Sequence, residues 1–123
     1  MNWVDAIIAR IGRAFHAEQI LLARRQAVFE LWKYMTAARD IDPKKPIYPA
    51  MLQVVNTLEL VAVCWDGEIV DRAIIRRTFG TRFVELYQAV DQVPAAAPWK
   101  AGREFLRGSP ATERLYDELR RAQ

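Results

Sequence analysis

The chain predicts an all-α fold: a small single-domain helical bundle with a long N-terminal helix and an apolar central helix. Three observations carry this. The run MLQVVNTLELVAVCW, residues 51–65, has only Gln53, Asn56, Thr57, Glu59 and Cys64 outside the aliphatic and aromatic classes. Such a helix is apolar nearly all round and must be covered on most sides. Helix formers dominate, while glycine is scarce at five residues and β-branched residues never alternate as strands require. At 123 residues, the chain fits one domain spanning 1–123.

The N-terminal helix is expected over residues 1–39. Asn2 is its candidate N-cap, and Asp5 three residues later favours the helix dipole. Val4, Ile8, Ile11 and Phe15, then Leu22, Phe29 and Trp32, fall on a 3–4 heptad seam, with Glu18 and Arg25 at the positions between. A second stripe runs through Leu21, Val28, Leu31 and Met35. Gly12 and the polar residues 16–19 offer a place for a kink, so one helix of ~50 Å or two shorter ones would satisfy the pattern.

Pro43, Pro46 and Pro49 end that helix, and Pro49 can serve as the first residue of the next. The helical core is expected over residues 49–92. Its central helix should stop at Asp66–Gly67, with glycine supplying a left-handed C-terminal residue. A third helix is expected from about Val70 to Phe79, opened by Asp71. Gly80 should break it, and Thr81 should cap a fourth that reaches about Gln92. The C-terminal helices fall within 98–122: a short one opened by Pro98 and closed by Gly108, then one capped by Ser109 with Pro110 in its first turn. The latter carries Ala111, Leu115, Leu119 and Ala122 on one stripe.

Residues 56–90, NTLELVAVCWDGEIVDRAIIRRTFGTRFVELYQAV, resemble an uncharacterised bacterial family of small helical domains of unknown function. The positions that carry the resemblance are Asn56, Glu59, Gly67, Asp71, Phe79 and Tyr87. It implies an all-helical domain and no particular activity. Relatives in that family carry an N-terminal membrane helix, whereas this chain has an amphipathic one.

Little chemistry is visible. His16 is the only histidine and Ser109 the only serine, so no Ser/His/Asp, Cys/His or two-histidine metal arrangement can be assembled. No catalytic residue, metal ligand or cofactor site is assigned, and the chain is expected not to be an enzyme. Cys64, the single cysteine, lies among apolar neighbours and reads as a small buried hydrophobe in a reducing compartment. With no signal peptide and no uncharged apolar run of ~18 residues, a cytoplasmic location without a transmembrane segment is expected.

Three groups of residues stand out. Asn56 and Glu59, three apart on the apolar helix, are expected to be a buried polar pair. Glu59 should then be neutralised by an arginine such as Arg72 or Arg76, because an isolated buried charge is prohibitively costly. Arg72, Arg76, Arg77 and Arg82 form the densest basic cluster. Around Gly80 they suggest a helix-turn-helix, but the second helix, RFVELYQAV, is too apolar to read a groove well. The net charge of +3 is also too small to imply nucleic acid. Val4, Ile8, Ile11 and Phe15 form the candidate partner interface. They suit a protein partner or a homodimer through the N-terminal helix, with Glu18 and Arg25 pairing across antiparallel copies. The function expected is therefore non-enzymatic protein–protein contact, as a small bacterial or mobile-element regulator or inhibitor. The alternative is nucleic-acid binding through the arginine cluster.

Overall fold

The computed structural model describes residues 3–122, apart from the side chains of residues 3 and 10–16. It is all-α, with five named helices: α1 Trp3–Ala37, α2 Tyr48–Asp66, α3 Arg72–Asp91, α4 Gly102–Arg107 and α5 Pro110–Arg121. Among the described residues there is no strand, only an isolated bridge between Ala96 and Trp99. No helix among them is long and apolar enough to cross a membrane.

Helices α2, α3 and α5 pack on one another around a single core. Leu58, Val61 and Ala62 of α2 meet Ile75, Phe83 and Leu86 of α3 and Leu115 and Leu119 of α5, all buried. The central position of α2 was legible in its composition, but two details differ. Trp65 is half-buried, and Gln53, Asn56, Glu59, Leu60 and Val63 form an exposed strip. That strip stays open because α1 reaches the core only through its last turns: Leu31 and Met35 are buried, and Ala27, Val28 and Ala38 pack beside them.

Helix α1 is continuous for 35 residues, so the single-helix alternative holds. Helix α2 starts with Ile47 at its N-cap and Pro49 in its first turn. Its end departs from expectation. Gly67 has φ −83°, and the left-handed residue is Glu68, at φ 54°. The Ile69 N–H donates to Cys64 O at 3.0 Å and the Glu68 N–H to Trp65 O at 3.3 Å. This is the Schellman closure, with the non-glycine residue at its left-handed position.

A larger correction concerns α3. It is capped by Asp71, whose carboxylate accepts from the N–H groups of Ala73 (2.7 Å) and Ile74 (3.4 Å). It then runs through Gly80 without a break, so the expected fourth helix and its Thr81 cap do not exist. Gly80 is buried against α5, and a Cβ there would lie 3.3 Å from Leu119 Cδ2. Glycine here permits close approach of two helices, and burial of Phe79, Phe83 and Val84 around it outweighs its low helix propensity of ~1 kcal/mol.

The connection after α3 was also misread. Pro98 follows a cis Ala97–Pro98 bond in a turn, where Trp99 N–H donates to Ala96 O at 2.8 Å. Tyr48 stacks on Trp99 at 5.6 Å and donates its hydroxyl to Pro94 O at 2.6 Å. Helix α4 begins only at Gly102, whose N–H donates to Val93 O at 3.0 Å. A Cβ on Gly102 would fall 1.8 Å from Val90 O, so only glycine fits where α4 meets the end of α3. Helix α5 opens as expected, with Ser109 Oγ accepting from Thr112 N–H at 3.4 Å. Of its stripe, Leu115 and Leu119 are buried, but Ala122 is exposed beyond the core.

Candidate interaction surface

The two stripes of α1 part company in three dimensions. Val28, Leu31 and Met35 turn inward to the bundle. The heptad seam faces solvent along the described helix: Val4 is exposed, Ile8 is 63% exposed, Leu22 62%, Phe29 65% and Trp32 53%. At ~100° per residue the seam lies roughly a third of a turn around the helix from the core-facing stripe, and Trp32 at its C-terminal end is nearest to that stripe. Glu18 and Arg25, between the seam's apolar members, are exposed as well. Ile7 and Leu21 widen the apolar surface, while the exposed Ile20 lies on the other side of the helix. Of the four residues singled out for an interface, Val4 and Ile8 are therefore on display, while the side chains of Ile11 and Phe15 lie outside the described residues. Spacing alone found the seam. What it could not reveal is that α1 docks by its other stripe, leaving the seam uncovered.

The buried polar pair is not buried. Asn56 and Glu59 are both exposed, because they sit on the strip of α2 that α1 leaves open, where water solvates the carboxylate. Among the described residues Glu59 has no arginine partner. Arg72 serves a different end: its Nε donates to Trp65 O at 3.1 Å, its guanidinium lies 4.7 Å over the Trp65 ring, and it pairs with Glu68 at 3.7 Å. It thus gives the Trp65 carbonyl at the end of α2 a second donor, beside the Glu68 N–H. Asn56 instead lines a half-open groove of about 360 Å³ between the end of α1 and α2, with Tyr34, Arg39, Gln53 and Leu60.

The arginine cluster does not act as one patch. Arg82 ties α3 to the α1–α2 connection, bonding Asp40 and donating to Ala38 O at 3.0 Å. Arg77 donates to Ala73 O of its own helix at 3.4 Å. Arg76 borders a small cleft with Trp65, Arg72 and Glu118. Two of the four cations are thus engaged in holding elements together.

A polar cluster that sequence reasoning missed joins α3, α4 and α5. Tyr87 and Tyr116 stack at 3.8 Å, and Arg103 pairs with Asp91 at 3.0 Å. Burial, then the carboxylates of Glu113 and Asp91, push the Tyr87 phenol up to about 12. The Asp91 hydrogen bond raises the Arg103 guanidinium further above its ordinary value. Burial likewise pushes the Cys64 thiol up, which keeps it protonated and inert, as expected of a core cysteine. No local motif marks the tyrosine pair, since its members are 29 positions apart.

Fold and surface together define a small helical domain with a projecting amphipathic helix. The chain belongs to the family described as domain of unknown function DUF4760, which matches residues 6–96. The match spans α1 from its first turns, all of α2 and α3, and the start of the following turn; α4 and α5 lie beyond it. No curated protein and no solved structure matches the chain.

Proposed function

We propose that the protein is a non-enzymatic binding protein that acts by protein–protein contact through the outward seam of α1. The observation that supports this is the exposure of Ile8, Leu22, Phe29 and Trp32 along one seam of a helix already docked by a different stripe. Large apolar side chains exposed in a row on a helix are of the kind that marks an interaction site. A contact module of this size suits a regulator or inhibitor, in a bacterial cytoplasm where a lone buried cysteine stays reduced. Nucleic-acid binding through Arg72, Arg76, Arg77 and Arg82 is the weaker reading, because Arg72 and Arg82 already have intramolecular partners.

The test is capture from a host lysate with the tagged chain and with its Ile8→Asp/Leu22→Asp variant. The reading predicts proteins, further copies of this chain among them, that the wild type retains and the variant loses. Retention of the same set by both, or of nothing by either, overturns it. Steep loss of the retained material with added salt, together with bound nucleic acid, would instead favour phosphate contacts.

A further inference from the structure

We propose that the occupant of the α1 seam is a second copy of α1 running antiparallel, centred near residue 20. This rests on the reading of α1 as a contact surface and adds the partner and its direction. From Val4 to Trp32 the seam covers four heptads, a length at which a sustained repeat supports a coiled coil. Ile8, Leu22 and Phe29 occupy one of the two core positions, and Val4, Glu18, Arg25 and Trp32 the other. Each of these described residues is exposed in the single chain, and the bundle docks on a different stripe of the helix, that of Val28, Leu31 and Met35.

Charge decides the direction. In a parallel pair, like positions face each other: Glu18 would meet Glu18 of the second copy, and Arg25 would meet Arg25. Both layers would be repulsive. In an antiparallel pair, the two classes of core position alternate. With the axis near residue 20, Glu18 shares a layer with Leu22 of the second copy and Ile8 with Trp32. Arg25 of the second copy then falls one layer from Glu18, within reach of its carboxylate. The symmetry makes two such Glu–Arg pairs, with only aliphatic or aromatic residues at the other core positions. The pairing also covers residues of α1 that are exposed in the single chain, among them 4–8 and 17–20. It places the two bundles at opposite ends of the rod.

The experiment is pulsed electron–electron spin resonance on the full chain in a Cys64→Ala background, spin-labelled at Gln19→Cys or at Ala6→Cys. Antiparallel pairing predicts a distance below ~20 Å for residue 19 and about 40–45 Å for residue 6, given 1.5 Å of rise per residue. Short distances at both sites would overturn the direction while leaving α1 as the interface. A single-chain mass with no dipolar coupling would overturn self-pairing, and lysate capture then decides the contact reading separately. A second measurement needs no cysteine. Glu18→Arg should weaken self-association about tenfold, from two exposed pairs turned repulsive, and the double swap Glu18→Arg/Arg25→Glu should restore it. Failure of the double swap to restore association also overturns the proposal.

Discussion

Leu58 touches α3 and α5 and has no exposed surface, so its replacement by alanine removes packing that nothing else can supply. Leu58→Ala should cost about 2–5 kcal/mol in denaturant unfolding, through lost transfer energy and a residual cavity. The two buried glycines make a sharper comparison. At Gly102 a Cβ would overlap a backbone carbonyl, at 1.8 Å from Val90 O, and relief requires moving α4 off α3. Gly102→Ala should therefore cost ~1–3 kcal/mol or more. At Gly80 the nearest atom is the tip of Leu119, at 3.3 Å. There the ~1 kcal/mol gain in helix propensity offsets much of the crowding, and Gly80→Ala should stay within about 1 kcal/mol of wild type. Equal losses at the two sites would contradict the packing described. Tyr87 adds a pH signature. Its phenol titrates near 12 in the folded chain against an ordinary value of 10, so the folded state holds the proton more tightly. That contribution is complete below pH 10 and is lost as pH rises from 10 to 12. Unfolding free energy should fall across this window, and Tyr87→Phe should flatten the fall.

At the level of elements, the strongest local signals were the end signals. Asp71 and Ser109 cap α3 and α5 as their sequence positions imply. Asp71→Ala should cost about 1 kcal/mol by leaving the Ala73 and Ile74 N–H groups without their acceptor, measured as a shift in denaturant midpoint at unchanged slope. Signals that depend on packing were not legible. Gly80 reads as a helix breaker locally, and only the neighbouring α5 explains why the helix continues. Pro98 reads as a helix start, yet the stack of Tyr48 on Trp99 belongs to a turn built by residues far apart in sequence. Asn56 and Glu59 looked buried because α2 is so apolar. Their exposure follows from how far α1 extends over α2, which no single-helix pattern encodes. The seam of α1 was legible as a spacing, since a 3–4 repeat survives whatever the helix docks against. Its exposure was not, because two stripes competed for the core and only packing chose between them.

For the whole molecule, the central contrast is between a well-packed bundle of α2, α3, α4 and α5 and a helix whose first two-thirds reach beyond it. The bundle buries the core, with Leu58, Phe83 and Leu115 at its centre. The projecting helix supplies surface, with exposed apolar side chains at heptad spacing and two exposed opposite charges, Glu18 and Arg25, among them. The family match begins near the start of that helix, at residue 6, so the projecting element is part of the shared domain rather than an appendage to it. The most direct test is the mass of the purified full chain by light scattering across a concentration series, beside Ile8→Asp/Leu22→Asp. Both positions are exposed, so the variant should keep its bundle and its helicity. A wild-type mass near twice the 14.2 kDa of one chain, falling to one chain in the variant, is the predicted result. A wild type that keeps the single-chain mass at every concentration would contradict it.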